Sequence, residues 1–101
     1  MKICITSSGD NLEAQIDQRF GRCSYFIIYD STNGTFEAIA NPSVDVGSGA
    51  GIQSAQLVVD KQVLMVITGE IGPKAEKVLK NANIQIITNK NGSVIGAIKN
   101  I

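Results

Sequence analysis

Both arginines of the chain and one of its two cysteines fall within five residues, Arg19-Phe20-Gly21-Arg22-Cys23. A guanidinium offers an anion a fixed fork of donors, and neighbouring positive charge lowers a thiol toward the thiolate that binds soft metals. Cys23 is therefore the expected soft metal ligand, with Arg19 and Arg22 as anion donors. The competing reading has both arginines solvated, or paired with Asp17 and Asp30, around a small buried cysteine. Cys4, flanked by Ile3 and Ile5, reads as a core residue.

Two glycine-bearing segments add a second kind of chemistry. Gly47-Ser48-Gly49-Ala50-Gly51 leads into Ile52 to Val59, where Ile52, Ala55 and Val59 share one helical face. Thr68-Gly69-Glu70-Ile71-Gly72 leads into Pro73, which suits a first helical turn. Helix starts carry unpaired N–H groups and partial positive charge, and glycine lets backbone approach a ligand closely. Gly47, Gly49, Gly51, Gly69 and Gly72 thus join Arg19, Arg22 and Cys23 as candidates for binding an anionic group. The alternative is that these glycines only turn the chain. The first segment is not a dinucleotide fingerprint, because Asn41 to Val46 separates it from the preceding strand. Glu70 could hold a hard metal or act as a base, against an exposed structural role, and the lysines at 61, 74, 77, 80, 90 and 99 read as solvated surface.

The elements that must position these groups follow from patterning. Residues 2 to 6 read as a strand buried on both faces, and Tyr25 to Asp30 and Thr35 to Ala40 as a hairpin whose Asn33-Gly34 supplies the positive backbone angles of its turn. Ser7 to Ser24 is a long linker in which Leu12, Ile16 and Phe20 could form a helical stripe. Val63 to Ile67 and Ile84 to Ile87 read as strands, Ala75, Val78, Leu79 and Ala82 as a helical face stopped at Asn83, and Ser93 to Ile101 as a final helix weakened by Gly96. The order β-β-β-α-β-α-β-α predicts an α/β fold with a mixed five-stranded sheet; it matches the ribonuclease-H-like three-layer α/β/α architecture, and by that fold analogy the strands take the order 3-2-1-4-5 with strand 2 antiparallel. Loops leaving the carboxyl ends of the parallel strands would then gather at one edge as a crevice.

Composition bounds the rest. A chain of 101 residues is room for one domain, residues 1–101. Nine basic against nine acidic side chains leave no broad field for nucleic acid or an anionic membrane. The complete lack of histidine removes the commonest general base and nitrogen ligand, so no Ser-His or Cys-His pair is possible. A two-metal nuclease needs a carboxylate on the first strand, and that strand has none. Two cysteines make neither a disulfide framework nor a structural zinc site, and no apolar run reaches membrane-spanning length. A reduced, cytoplasmic, non-enzymatic protein is expected; a reactive-thiol enzyme built on Cys23 would lack its base.

Ile3-Cys4-Ile5-Thr6-Ser7, Asp17 through Phe26, Gly49-Ala50-Gly51-Ile52-Gln53 and Thr68 through Ala75 together resemble the dinitrogenase iron-molybdenum cofactor biosynthesis family across essentially the whole chain. That family includes NifX-like carriers and the carboxyl-terminal domain of NifB-type maturation enzymes. The resemblance implies a carrier or chaperone that transiently holds an anionic metal-sulfur cluster, either the iron-molybdenum cofactor, its precursor or a related sulfide cluster. Its implied partners are metallocluster assembly or acceptor proteins, with the chain a monomer or weak homodimer. Family members often carry histidine at the position of Arg19 and in the loop of Gly47 through Gly51; this chain has neither, which excludes direct histidine ligation. The alternative is an apo interaction or regulatory module that docks with the assembly machinery.

Overall fold

The computed structural model describes residues 1–101. Its central strand, β1 (Lys2–Ser7), pairs antiparallel with β2 (Tyr25–Asp30) and parallel with β4 (Met65–Ile67); β3 (Thr35–Ala40) extends the antiparallel side and β5 (Gln85–Ile87) the parallel side. The order is β3-β2-β1-β4-β5, as expected. Registers such as Cys4 opposite Ile28 and beside Val66 fix which side chains share a face.

Because successive strand residues point to opposite faces, a strand buried on both sides must be apolar throughout. Cys4, Phe26, Ile28 and Val66 therefore join the core against α1 (Ala50–Asp60) and α2 (Pro73–Asn81), while Ile3, Ile5, Ile27 and Ile67 join the core on the other face with Val94 of α3 (Val94–Lys99). The helices thus cover both faces of the sheet. None is long and apolar enough to cross a membrane.

Local chemistry explains the boundaries and three departures from expectation. Pro73 opens α2, and Asn83 beyond its end has φ 61°, the left-handed stop expected there. Helix α1 starts at Ala50, so it includes Gly51 that the sequence reading left in the loop. In the hairpin only Gly34 takes a positive φ, 73°; Asn33 instead accepts from the Thr35 N–H at 3.0 Å and hydroxyl at 2.6 Å through its side chain. The proposed stripe of Leu12, Ile16 and Phe20 is not helical. Residues 8–24 cross the sheet as turns and isolated bridges, and the linker delivers Ile16 to one core and Phe20 to the other. Gly96, expected to weaken α3, sits where its N–H bonds Ser93 Oγ at 3.0 Å, and a Cβ there would meet that oxygen at 3.0 Å.

Gly21 is held to glycine on two counts, its backbone angle and its neighbours. It has φ 95°, and a Cβ built on it would lie 2.9 Å from the Gly51 Cα and 3.2 Å from the Gly51 nitrogen. Gly21→Ala should lower stability by about 2 kcal/mol or more in denaturant unfolding. Gly47→Ala, with no positive φ and nothing within 4 Å, should stay within about 0.5 kcal/mol of the parent.

Candidate functional site

The linker reaches its position by satisfying its own backbone. The Asp17 N–H donates to Thr6 O at 2.9 Å, the Phe20 N–H to Glu70 O at 2.9 Å and the Glu70 N–H to Gln18 O at 2.6 Å, so residues 17–20 are laid across the carboxyl ends of β1 and β4. Thr6 Oγ1 donates to Asp17 O at 2.8 Å and lies 2.8 Å from the Thr68 hydroxyl, a buried polar link between the same two strand ends. Gly69 is needed for the crossing: a Cβ on it would fall 2.6 Å from the Gln18 carbonyl oxygen.

Beyond this crossing, the N-termini of α1 and α2 open on one cleft of about 400 Å³, lined by Phe20, Arg22, Gly49–Ile52 and Gly72–Ala75. Gly49 and Gly72 are the N-caps, so no side chain caps either helix. The first-turn N–H groups of Ala50, Gly51, Ile52, Lys74 and Ala75 have no partner within the protein. Helix α2 packs beside residue 51, where a Cβ would lie 3.4 Å from the Ala75 Cβ, within contact distance. The cleft's side chains are apolar apart from Arg22 and Lys74; no carboxylate, hydroxyl, amide or thiol lines it. Five free first-turn N–H groups, two helix N-termini and two cations, against one acid in those first turns, Glu76 of α2, make this a place for negative charge.

Arg22 is held by the loop beside the cleft. Its Nη1 donates to Val44 O at 3.2 Å and to Val46 O, and its Nη2 to Gly47 O at 3.1 Å. Five N–H donors less these three leave Nε–H and one Nη2–H uncommitted. Arg19 lines an adjoining cleft of about 280 Å³ with Glu70 and Ile71, and the two clefts share Phe20, Arg22 and Gly72. The guanidinium of Arg19 has no hydrogen bond or ion pair in the protein, and neither arginine pairs with Asp17 or Asp30.

The expected sites therefore separate. Arg22, Gly49, Gly51 and Gly72 meet at the main cleft and Arg19 beside it, whereas Gly47 contributes a carbonyl to Arg22 and Gly69 makes room for Gln18. Cys23 lies beneath, fully buried in the core that also holds Cys4. The sequence reading has arginine charge lowering this thiol; the structure reverses it. Burial, and then the Asp17 carboxylate, push Cys23 up to about 12, and burial pushes Cys4 up as well. No three carboxylate or thiol groups gather as a metal site. Lys74 is exposed as expected, and the Gly72-Pro73 start also brings it to the cleft, a place sequence reasoning did not assign it; Asn41 was missed outright, since no local pattern signals its burial.

Comparison with known proteins places this geometry. The family model described as dinitrogenase iron-molybdenum cofactor matches residues 1–101. The chain belongs to that family. It is 32% identical over 102 residues to the uncharacterized protein MJ0580 of Methanocaldococcus jannaschii, covering 98% of this chain and 83% of that one. Its fold is similar to the apo form of the orange protein from Desulfovibrio gigas, with TM-score 0.93, 31% identity, and 97% and 83% of the two chains covered. A candidate NifB protein from Thermotoga, of the DUF35 family, superposes with TM-score 0.85 at 34% identity over 97% and 84% of the two chains. Family and neighbours make this a small metallocluster-associated protein.

The raised thiol has a measurable consequence. A group whose folded pKa lies above its unfolded value, here about 12 against 9.0, contributes stability that is fully present below pH 9 and lost as pH climbs toward 12. Denaturant midpoints should therefore fall across that window, and fall less steeply in Cys23→Ala; at pH 8 iodoacetamide should label Cys23 only after unfolding.

Proposed function

We propose that this chain is a non-enzymatic carrier that transiently holds an anionic metal-sulfur cluster, the iron-molybdenum cofactor, its precursor or a related molybdenum or iron sulfide, at the paired N-termini of α1 and α2. The observation that carries the reading is that five residues with unpartnered first-turn N–H groups line one cleft together with the Arg22 and Lys74 side chains and no acidic side chain. Apolar walls from Phe20, Ile52 and Pro73 suit a polarisable, sulfide-rich surface better than a strongly hydrated oxyanion. In this reading Arg19 extends the positive rim, Gly49, Gly51 and Gly72 let backbone reach the cargo, and Gly47 and Gly69 support Arg22 and the linker.

Cys23 would serve beneath the cleft as packing, because a neutral, enclosed thiol is a poor metal ligand. The cleft offers no carboxylate, imidazole or thiol to exchange a proton with a substrate, which supports holding over catalysis. We further read residues 1–101 as one domain of ribonuclease-H-like topology, working in the cytoplasm between assembly and acceptor proteins as a monomer or weak homodimer.

The test is anaerobic titration of the purified protein with iron-molybdenum cofactor, with tetrathiomolybdate and with an iron-sulfide cluster, followed by absorbance and gel filtration. Saturable binding is expected, weakening with salt and falling about tenfold or more in Arg22→Ala, because a charge-assisted hydrogen bond is lost. Cys23→Ala should bind nearly as well as the parent. Loss of binding in a folded Cys23→Ala would restore the thiol as the ligand. No binding by the parent chain, with a partner protein captured in the absence of metal and sulfide, would move the function to an interaction module.

A further inference from the structure

Asn41 is buried and adjoins no cleft, yet its side chain touches both ends of the Arg22 arrangement. Its Nδ2 donates to Gly21 O at 3.0 Å and to Cys23 O at 2.9 Å, the carbonyls on either side of Arg22 in sequence. Its Oδ1 accepts from the Ser43 N–H at 2.9 Å. Only this amide orientation satisfies all three partners, since the reverse would set an oxygen against two carbonyls and an NH2 against an N–H.

From Ser43 the connections return to Arg22. The Val46 N–H donates to Ser43 O at 3.1 Å, and the carbonyls of Val44, Val46 and Gly47 accept from the guanidinium. Asn41 itself is anchored by its N–H to Ser24 O at 3.0 Å, and Ser43 Oγ reaches Gln53 Oε1 on α1 at 2.8 Å. The result is a closed ring of hydrogen bonds: from the Arg22 backbone through one buried amide and a loop to the Arg22 guanidinium. We infer that Asn41 is the positioning residue for Arg22, holding its backbone and its loop of acceptors in one register so that the two uncommitted guanidinium N–H groups stay available to an anion. The inference rests on the carrier reading for its purpose, although the ring itself can be tested without a ligand.

With only two arginines in the chain, side-chain NMR of the free protein is decisive. In the parent, Arg22 should give separate Nη1 and Nη2 resonances, whereas the unpartnered Arg19 should give one averaged signal. In Asn41→Ala, and in the isosteric Asn41→Asp should the alanine variant not fold, the Arg22 signals should collapse to the Arg19 pattern. Resolved Arg22 signals persisting in a folded variant overturn the inference.

A tetrathiomolybdate titration then reads the consequence. Asn41→Ala should weaken binding about tenfold in the parent background and leave an Arg22→Ala protein no weaker than before, a non-additivity expected only when one residue acts through the other. An equal loss in both backgrounds assigns Asn41 a merely structural role and overturns the inference. If the parent binds no anion while the NMR change is seen, the carrier reading fails and the positioning of Arg22 by Asn41 stands.

Discussion

The contact between Gly21 and the first turn of α1 is the constraint on which the cleft depends. The two backbones can meet this closely only because Gly21 carries no Cβ, which would lie 2.9 Å from the Gly51 Cα, and Gly21 must also hold a φ of 95° to do so. That contact sends Phe20 and Arg22 to the wall of the cleft from either side of one glycine, and it leaves the Gly21 carbonyl facing inward. An inward carbonyl needs a donor, and Asn41, with Ser54 at 3.5 Å, provides it. One steric fact therefore determines where the guanidinium sits, why a polar amide is buried, and how closely the linker can approach the helix start.

Charge is arranged locally in a chain that is neutral in sum. Nine positive and nine negative side chains cancel, so long-range steering is weak, yet Arg22 and Lys74 line the cleft with no acid among its lining residues, and the one acid in either first turn, Glu76 of α2, lies 3.7 Å from Lys80. Glu70 lies with Arg19 in the side cleft. Beneath this positive surface the two thiols are kept protonated by burial, and Asp17 reinforces that for Cys23. The same few residues, Asp17 to Cys23, thus contribute a charged wall above and a neutral floor below.

The sheet was legible in the sequence because each strand leaves a local signature. Alternation of Ile3, Cys4 and Ile5 between two buried faces, the Asn33-Gly34 turn and the Gly72-Pro73 start are properties of adjacent residues, whereas the strand order came from matching the element order to a known architecture. The linker was not legible, since Ile16 and Phe20 are spaced like a helical stripe but go to opposite sides of the sheet, their backbone N–H groups bonded to Gly92 and Glu70. Cys23 misled for a related reason. An arginine next in sequence need not be next in space, and here the residue that acts on the thiol is Asp17. Asn41 left no trace at all, because a buried amide is defined by three distant partners and by nothing beside it in the chain.

A site made of main-chain N–H groups and an arginine already tied to carbonyls has a functional logic of its own. Metal-thiolate bonds hold a cluster tightly and exchange through slow ligand substitution, whereas hydrogen bonds to a preformed anion hole break one at a time and are weakened by competing charge. On the carrier reading, cargo would be held by contacts that an acceptor with real metal ligands could outcompete. The same design would ask little of the protein on release: Arg22 is held by the carbonyls of Val44, Val46 and Gly47, partners that belong to the protein itself, so on this reading the cleft need not rebuild itself between rounds. Preorganisation limits the ordering cost of each capture, and the absence of a side-chain ligand from the cleft limits how tightly that capture can hold.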